Sequence, residues 1–132
     1  MKERIEQEIA LLKKYFPYLE YREDGDWFLV PSYPLPSGWS KATTDVAFQL
    51  PAAGYPGAPP YGIYTPSGLT FDGSKPDNYT DPAPAQPPFG GSWGIFSWEP
   101  QQGQWRATAD LLTGSNLLNW VQGFAERFRQ GK

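Results

Sequence analysis

The sequence predicts an α+β domain with an N-terminal helix, a four-stranded antiparallel meander, a long irregular loop and a C-terminal helix. Apolar residues recur at helical spacing near both ends of the chain, and short β-prone runs separated by turn residues lie between them. Helices do not alternate with strands, so a parallel sheet is not expected.

Length and aromatic content predict a single domain over residues 1–132. A chain of 132 residues can bury a sizeable core but is too short for two comfortable domains. Its 15 prolines and 14 glycines approach the level of disordered chains, yet six Trp, eight Tyr and eight Phe supply apolar area that disordered chains lack. We therefore expect a folded domain that is rich in loops.

The composition argues against several classes of function. The net charge is −3 and basic residues form no patch beyond short pairs, which makes nucleic acid an unlikely partner class. This chain has no cysteine, so it offers no disulfide, thiolate nucleophile or thiolate metal site. It also lacks histidine, the commonest general base and metal ligand. We expect no metal and no cofactor.

The hydropathy pattern predicts no membrane partner. No stretch approaches the roughly 20 apolar residues that a membrane span needs. The N-terminal residues carry mixed charge with no apolar segment behind them, so a cytoplasmic location is the expectation.

The first predicted helix runs from Lys2 to about Phe16. Ile5, Ile9, Leu12 and Phe16 recur at steps of four, three and four, which places them on one face. The charged residues are predicted to lie elsewhere, acidic toward the N-terminus and basic toward the C-terminus, as the helix dipole favours: Glu3, Glu6, Glu8, Lys13 and Lys14. A solvated polar face is the simpler interpretation, and a partner-binding face is the alternative.

Four short β-prone runs follow the first helix. Residues 18–22 and 27–30 flank a turn signal at 23–26 and predict a hairpin. Residues 43–48 predict a third strand, and residues around 61–65 predict a fourth. The chain between the second and third strands is interrupted by Pro31, Pro34, Pro36 and Gly38.

Residues 50–60, called the crossover, join the third and fourth predicted strands and contain Tyr55, Pro56, Pro59 and Pro60. Proline restricts its own φ and pushes the preceding residue out of the helical region, so the crossover is predicted to be extended and stiff. An ordinary proline-rich surface loop, or a polyproline ligand for another domain, is the alternative interpretation.

Residues 66–92 are rich in Pro, Gly, Asp, Ser and Thr and predict a long loop that is either functional or draped over the core. Its carboxylates lack the EF-hand spacing and closing Glu, which favours solvated turns over a calcium site: Asp72, Asp77 and Asp81.

An aromatic run at 93–98 and a polar loop lead to Trp105, and a second amphipathic helix follows. This helix is predicted to begin between Asp110 and Ser115 and to end near residues 129–131. Its apolar residues recur at steps of four, three and four: Leu117, Val121, Phe124 and Phe128.

Two features carry a resemblance to a known family. The segment 48–60 contains a Tyr-Pro-x-x-Pro-Pro crossover, and Trp105 precedes the last helix. In order along nearly the whole chain, the elements resemble the ubiquitin-conjugating-enzyme (UBC) fold and its RWD relatives. Residues 35–39 and the aromatic run look most similar to a divergent bacterial branch. The resemblance implies a genetic setting beside a ubiquitin-like protein, an activating enzyme and a deconjugating protease.

The candidate catalytic position departs from that family. The resemblance implies a nucleophilic cysteine eight residues before the Trp, and this position holds Ser97. The family's His-Pro-Asn tripeptide is missing, and Asn78 is the nearest substitute by position. A serine hydroxyl is a weaker nucleophile than a thiolate and needs an activating base. Glu99 and Asp110 are the nearest carboxylates in sequence, although a solvated loop charge and a helix N-terminal charge explain them equally well.

Three interpretations of Ser97 stay open. It is a structural residue in a catalytically inactive relative, a nucleophile that carries a ubiquitin-like tail as an oxyester, or a replacement for a native cysteine. We prefer the first, in which the chain binds an activating enzyme or a second, active conjugating subunit. The candidate partner-binding residues lie on the first helix: Lys2, Arg4, Lys13 and Lys14.

A carbohydrate- or peptide-binding module is the alternative from another class of function. Aromatic residues on Pro/Gly loops can stack on sugar rings or polyproline. However, large aromatics such as Trp93, Trp98 and Trp105 more often fill gaps in a core. A glycosidase is less favoured, because the carboxylates lie mostly in turns and on polar helix faces.

Overall fold

The computed structural model describes residues 2–100 and 103–132, with the side chain of Lys2 outside the described part. Within it, the helices and strands are α1 (Lys2–Tyr15), β1 (Glu20–Arg22), β2 (Trp27–Pro34), β3 (Thr43–Gln49), β4 (Ile63–Pro66), β5 (Tyr79–Thr80), β6 (Trp93–Phe96) and α2 (Leu117–Arg129). The strands form one antiparallel sheet in the order β1-β2-β3-β4-β6-β5. The predicted α+β class is confirmed.

The predicted number of four strands is wrong, because the sheet continues beyond β4. β6 pairs with all four residues of β4, and β5 pairs with the other edge of β6. β5 lies inside the segment predicted to be irregular and has only two residues. Gly94 interrupts the apolar pattern of β6, and a Cβ at this position would lie 2.4 Å from the Tyr79 hydroxyl oxygen. The short length of β5 and the glycine within β6 explain why the sequence pattern predicts neither strand.

β2 also extends further than the predicted strand at 27–30. It continues through Pro31 to Pro34, and its register with β3 shifts between Val30 and Tyr33. The irregularity accommodates a proline, which has no N–H to donate to a regular ladder.

Side chains alternate across the sheet, and both faces are covered. The face that packs against α1 and α2 carries Phe28, Val30, Val46, Phe48, Ile63 and Phe96. The opposite face carries a second cluster of Trp27, Leu29, Ala47, Tyr64 and Trp93. Ala83 and Phe89 join this second cluster, so part of the long loop is draped over the outer face of the sheet.

α2 begins at Leu117, later than the predicted start between Asp110 and Ser115. Asn116 is the N-cap: its side chain accepts from the Asn119 N–H at 2.9 Å, and the Asn119 side chain accepts from the Asn116 N–H at 3.1 Å. This capping box satisfies two backbone donors at the helix start. The predicted apolar stripe of the helix is fully buried: Leu117, Val121, Phe124 and Phe128.

Glu8 connects α1, the crossover and α2, although the sequence places it among the solvated charges. The side chain is completely buried. Its carboxylate accepts hydrogen bonds from the Leu117 backbone N–H at 2.6 Å, from Arg4 Nε at 3.2 Å and from the Tyr55 hydroxyl. Arg4 also donates to carbonyl oxygens of the segment before α2, those of Thr108 at 2.6 Å and Ser115 at 3.3 Å.

We expect Glu8→Ala to lower the free energy of unfolding by about 3–5 kcal/mol, because it leaves the Arg4 guanidinium and the Leu117 N–H without their buried acceptor. Urea unfolding followed by circular dichroism measures the loss. Glu8→Gln should lose less, since an amide oxygen can still accept. The exposed Glu6 lies on the same helix, and Glu6→Ala is the matched control with an unchanged midpoint. Equal midpoints for Glu6→Ala and Glu8→Ala would contradict this role of Glu8.

Five tyrosines have pKa values raised by their surroundings, which predicts that the fold is sensitive to alkali. Burial raises the pKa of Tyr33, Tyr64 and Tyr79 above the usual value of 10.0. Burial, followed by the neighbouring carboxylates of Asp26 and Glu8, raises the pKa of Tyr21 and Tyr55 as well. In the unfolded chain these phenols lose their protons at lower pH than in the folded chain.

The free energy of unfolding should therefore stay level up to about pH 9 and fall as the pH rises above about 10. Urea unfolding at several alkaline pH values measures this dependence, and phenolate absorbance reports when the buried tyrosines ionise. Phenolate absorbance from the buried tyrosines should increase together with unfolding. A stability that does not change across the alkaline range would show that these phenols do not contribute.

Candidate functional site

Ser97 lies directly after β6, and the sheet fixes its backbone. Its N–H donates to the Asn78 carbonyl oxygen at 2.9 Å, and the next carbonyl, of Trp98, accepts from the Gly62 N–H at 2.8 Å. These bonds continue the pairing of β6 with β5 and β4 beyond the strand ends. The Ser97 side chain is exposed. The structure thus brings together Ser97 and Asn78 through main-chain contact.

Neither sequence-predicted carboxylate is hydrogen-bonded to Ser97 in the described part of the chain. Glu99 is exposed. Asp110 shapes a turn before α2, where its Oδ1 accepts from the Leu112 N–H at 3.0 Å and its carbonyl oxygen accepts from the Thr108 hydroxyl at 2.6 Å. Among the described residues, neither side chain is therefore positioned by a hydrogen bond to act as a base for Ser97.

Arg127 is a buried cation near this site that sequence reasoning missed. Its Nη2 donates to the Asp77 carbonyl oxygen at 2.7 Å, and the guanidinium carbon lies 4.7 Å from the centre of the Phe96 ring. Burial lowers the pKa of Arg127, and the Asp77 carboxylate opposes that shift. A basic residue near a helix C-terminus is ordinarily explained by the helix dipole, so its position carried no signal of burial.

The crossover and Trp105 are in direct contact, although they lie far apart in sequence. Trp105 Nε1 donates to the Pro56 carbonyl oxygen at 2.7 Å, and the Tyr55 and Trp105 ring centres are 6.2 Å apart. The Tyr55–Pro56 peptide bond is cis. Pro60 is buried and Pro59 is half-buried. The two anchors of the family resemblance therefore form one contact.

The predicted partner-binding residues of α1 divide into different environments. Lys13 and Lys14 are exposed. Arg4 is engaged inside the chain by Glu8, and the Lys2 side chain lies outside the described part. Lys14 borders a groove of about 520 Å³ between α1 and residues 109–112. Leu112, which is 76% exposed, also borders this groove.

Trp93, Trp98 and Trp105 pack against the two apolar clusters. The Trp98 ring centre lies 5.2 Å from that of Trp120, and Gly123 makes room for it, since a Cβ there would be 2.9 Å from the Trp98 ring. Trp98, Trp105 and Trp120 border a cavity of about 150 Å³. This packing agrees with the interpretation that these rings fill the core.

No group of three or more acidic side chains that could hold a metal ion occurs in residues 2–100 and 103–132. Over the same residues, neither helix combines the length and the apolar character that crossing a membrane requires.

Comparisons with protein-family models, curated proteins and solved structures gave no match for this chain. The resemblance to the UBC and RWD families therefore rests only on the sequence features quoted above.

We expect Tyr55→Phe to lower the free energy of unfolding by about 2 kcal/mol, because it removes the hydroxyl that donates to the buried Glu8 carboxylate. Urea unfolding measures the loss. Tyr61→Phe is the matched control, since Tyr61 follows the crossover and is 52% exposed. An equal loss of unfolding free energy in both variants would contradict a stabilising role of the Tyr55–Glu8 hydrogen bond.

Proposed function

We propose that this chain is a UBC-like component of a bacterial ubiquitin-like conjugation pathway and that it acts by binding rather than by catalysis. In this role it is a cytoplasmic scaffold subunit that contacts an activating enzyme or a second, active conjugating subunit. The observation that carries the proposal is the contact of Trp105 with Pro56 at 2.7 Å.

That contact supports the proposal because the resemblance rests on two separate sequence features. A chance match of a proline-rich loop and a distant Trp gives no reason for the two to meet. The coarser order of an N-terminal helix, an antiparallel sheet and a C-terminal helix also agrees with what the resemblance implies, although the sheet has six strands rather than four.

The binding role is favoured over catalysis by the surroundings of Ser97. A serine hydroxyl needs a base within hydrogen-bond reach to become a nucleophile at neutral pH. Glu99 is exposed, and Asp110 is used in a turn. The chain also has no histidine and no cysteine.

The alternative is a conjugating enzyme that carries the ubiquitin-like C-terminus as an oxyester on Ser97, or on a native cysteine that Ser97 replaces. One observation favours it: Ser97 is exposed, and its backbone is held beside Asn78 at 2.9 Å. A fixed, accessible hydroxyl at the family's nucleophile position is what such transfer would need.

Incubation with the activating enzyme, ATP and the ubiquitin-like protein encoded by neighbouring genes separates the two roles. We expect a non-covalent complex with the activating enzyme or a conjugating subunit in size-exclusion chromatography, and no covalent adduct. Ser97→Ala should bind as the unchanged chain does, because the hydroxyl takes no part in binding.

A hydroxylamine-sensitive adduct that is lost in Ser97→Ala would replace the binding role with the oxyester role. The absence of both complex and adduct would contradict the proposal as a whole, as would neighbouring genes that encode no activating enzyme or deconjugating protease.

A further inference from the structure

A cleft of about 460 Å³ lies between the turn that joins β1 to β2 and the crossover. This volume falls within the range of about 300–1,000 Å³ that is usual for ligand sites. One wall is mostly apolar and is formed by the crossover and the chain that enters β4, with Pro51, Pro59, Tyr61 and Tyr64. The other wall is polar, with Asp26 and Gln49. The conjugation proposal assigns no role to this cleft.

Asp26 makes the cleft acidic. It is the one charged residue among those that line the cleft. Its Oδ1 accepts the hydroxyl hydrogen bond of Tyr21, which holds the carboxylate in place and leaves Oδ2 to a ligand. Glu23 and Asp24 are exposed on the same turn and add negative charge at the rim. The electrostatic field therefore favours a cation.

Two tyrosines supply aromatic surface beside this carboxylate. Tyr61 is 52% exposed, which distinguishes it from the buried aromatics of the core. Tyr64 is only 8% exposed, and its ring is held edge-on by Trp27 with ring centres 5.1 Å apart. Its hydroxyl forms no hydrogen bond with the described residues although its side chain lines the cleft. A buried phenol in this position offers an acceptor to a ligand that donates.

We propose that this cleft binds an arginine side chain presented by an extended segment of a partner protein. The guanidinium donates to Asp26 Oδ2 and stacks on the Tyr61 ring, while its aliphatic stem lies on the prolines. Arginine suits the cleft better than lysine because its planar guanidinium combines aromatic stacking with directed hydrogen bonds.

The cleft also has room for the backbone on either side of that arginine. The Gln49 side-chain N–H donates to the Gly25 carbonyl oxygen at 2.9 Å, which orients the amide and leaves its oxygen to accept a peptide N–H. Grooves lined by aromatic side chains are the surfaces that bind extended, proline-rich peptides in other recognition domains. Since Ser97 does not line this cleft, the inference stands apart from the conjugation role.

The test titrates the full chain with the acetylated and amidated peptide Gly-Pro-Arg-Pro-Gly and follows backbone amide shifts by NMR. We expect shifts at Gly25, Gln49 and Ala52. The same peptide with citrulline in place of arginine keeps the shape but lacks the charge, and it should bind about tenfold more weakly. Free acetyl-arginine amide should also bind about tenfold more weakly than the peptide, because it lacks the flanking backbone.

Two variants with matched controls locate the site. Asp26→Asn and Tyr61→Ala should each weaken peptide binding by about tenfold. Asp72→Asn makes the same change of charge at an exposed position outside the cleft, and Tyr18→Ala removes an exposed tyrosine elsewhere, so both should bind within about twofold of the unchanged chain. Thermal unfolding of each variant checks the fold, and Tyr61→Ala keeps the test valid if Asp26→Asn is destabilised.

Three results would overturn the inference: no amide shifts in the cleft, equal binding of the citrulline peptide, or unchanged binding in both Asp26→Asn and Tyr61→Ala. Equal affinity for free acetyl-arginine amide would overturn the part that assigns a peptide. None of these results depends on an activating enzyme or a ubiquitin-like protein, so failure here is distinguishable from failure of the conjugation role.

Discussion

The buried carboxylate of Glu8 is the interaction on which the arrangement of the other elements depends. A charged group taken out of water costs several kcal/mol unless hydrogen bonds compensate it. Here the compensation comes from three elements at once: Arg4 on α1, the Tyr55 hydroxyl of the crossover and the first backbone N–H of α2 at Leu117. Because each partner belongs to a different part of the chain, satisfying the carboxylate fixes their relative positions.

This constraint explains why the crossover is more than a stiff surface loop. Tyr55 is held from one side by Glu8, and its neighbour Pro56 is held from the other by Trp105. The segment between β6 and α2 must therefore return across the crossover before α2 begins. Ser97 lies at the start of that return path, and its backbone is fixed by Asn78 of the neighbouring strand end. Among residues 2–100 and 103–132, no carboxylate forms a hydrogen bond with the Ser97 hydroxyl.

Two partly apolar concave surfaces lie outside the core. The crossover supplies the apolar wall of the cleft at Asp26 and Tyr61, and α1 borders the groove that exposes Leu112. Each includes part of an element that is hydrogen-bonded at Glu8, namely the crossover through Tyr55 and α1 through Arg4. Rigid, partly apolar surfaces lose little conformational entropy on association, which favours recognition of a partner.

The sequence by itself determined the parts that local periodicity and composition encode. The helical spacing of Ile5 to Phe16 and of Leu117 to Phe128 and the hairpin turn at 23–26 each predicted the element that forms. The crossover was predicted to be extended, but residues 54–58 form a turn in which the Ala58 N–H donates to the Gly54 carbonyl oxygen at 2.8 Å. Only the tertiary structure decided the features that depend on residues far apart in sequence, namely strand pairing, the start of α2 and the burial of charged side chains. β5 has only two residues, and it forms because β6 pairs with it. α2 begins later than predicted because Asn116 caps it, and the apolar pattern did not indicate this cap. Glu8 and Arg127 lie at positions where charged residues are usually solvated, and only the packing of other elements around them makes them buried.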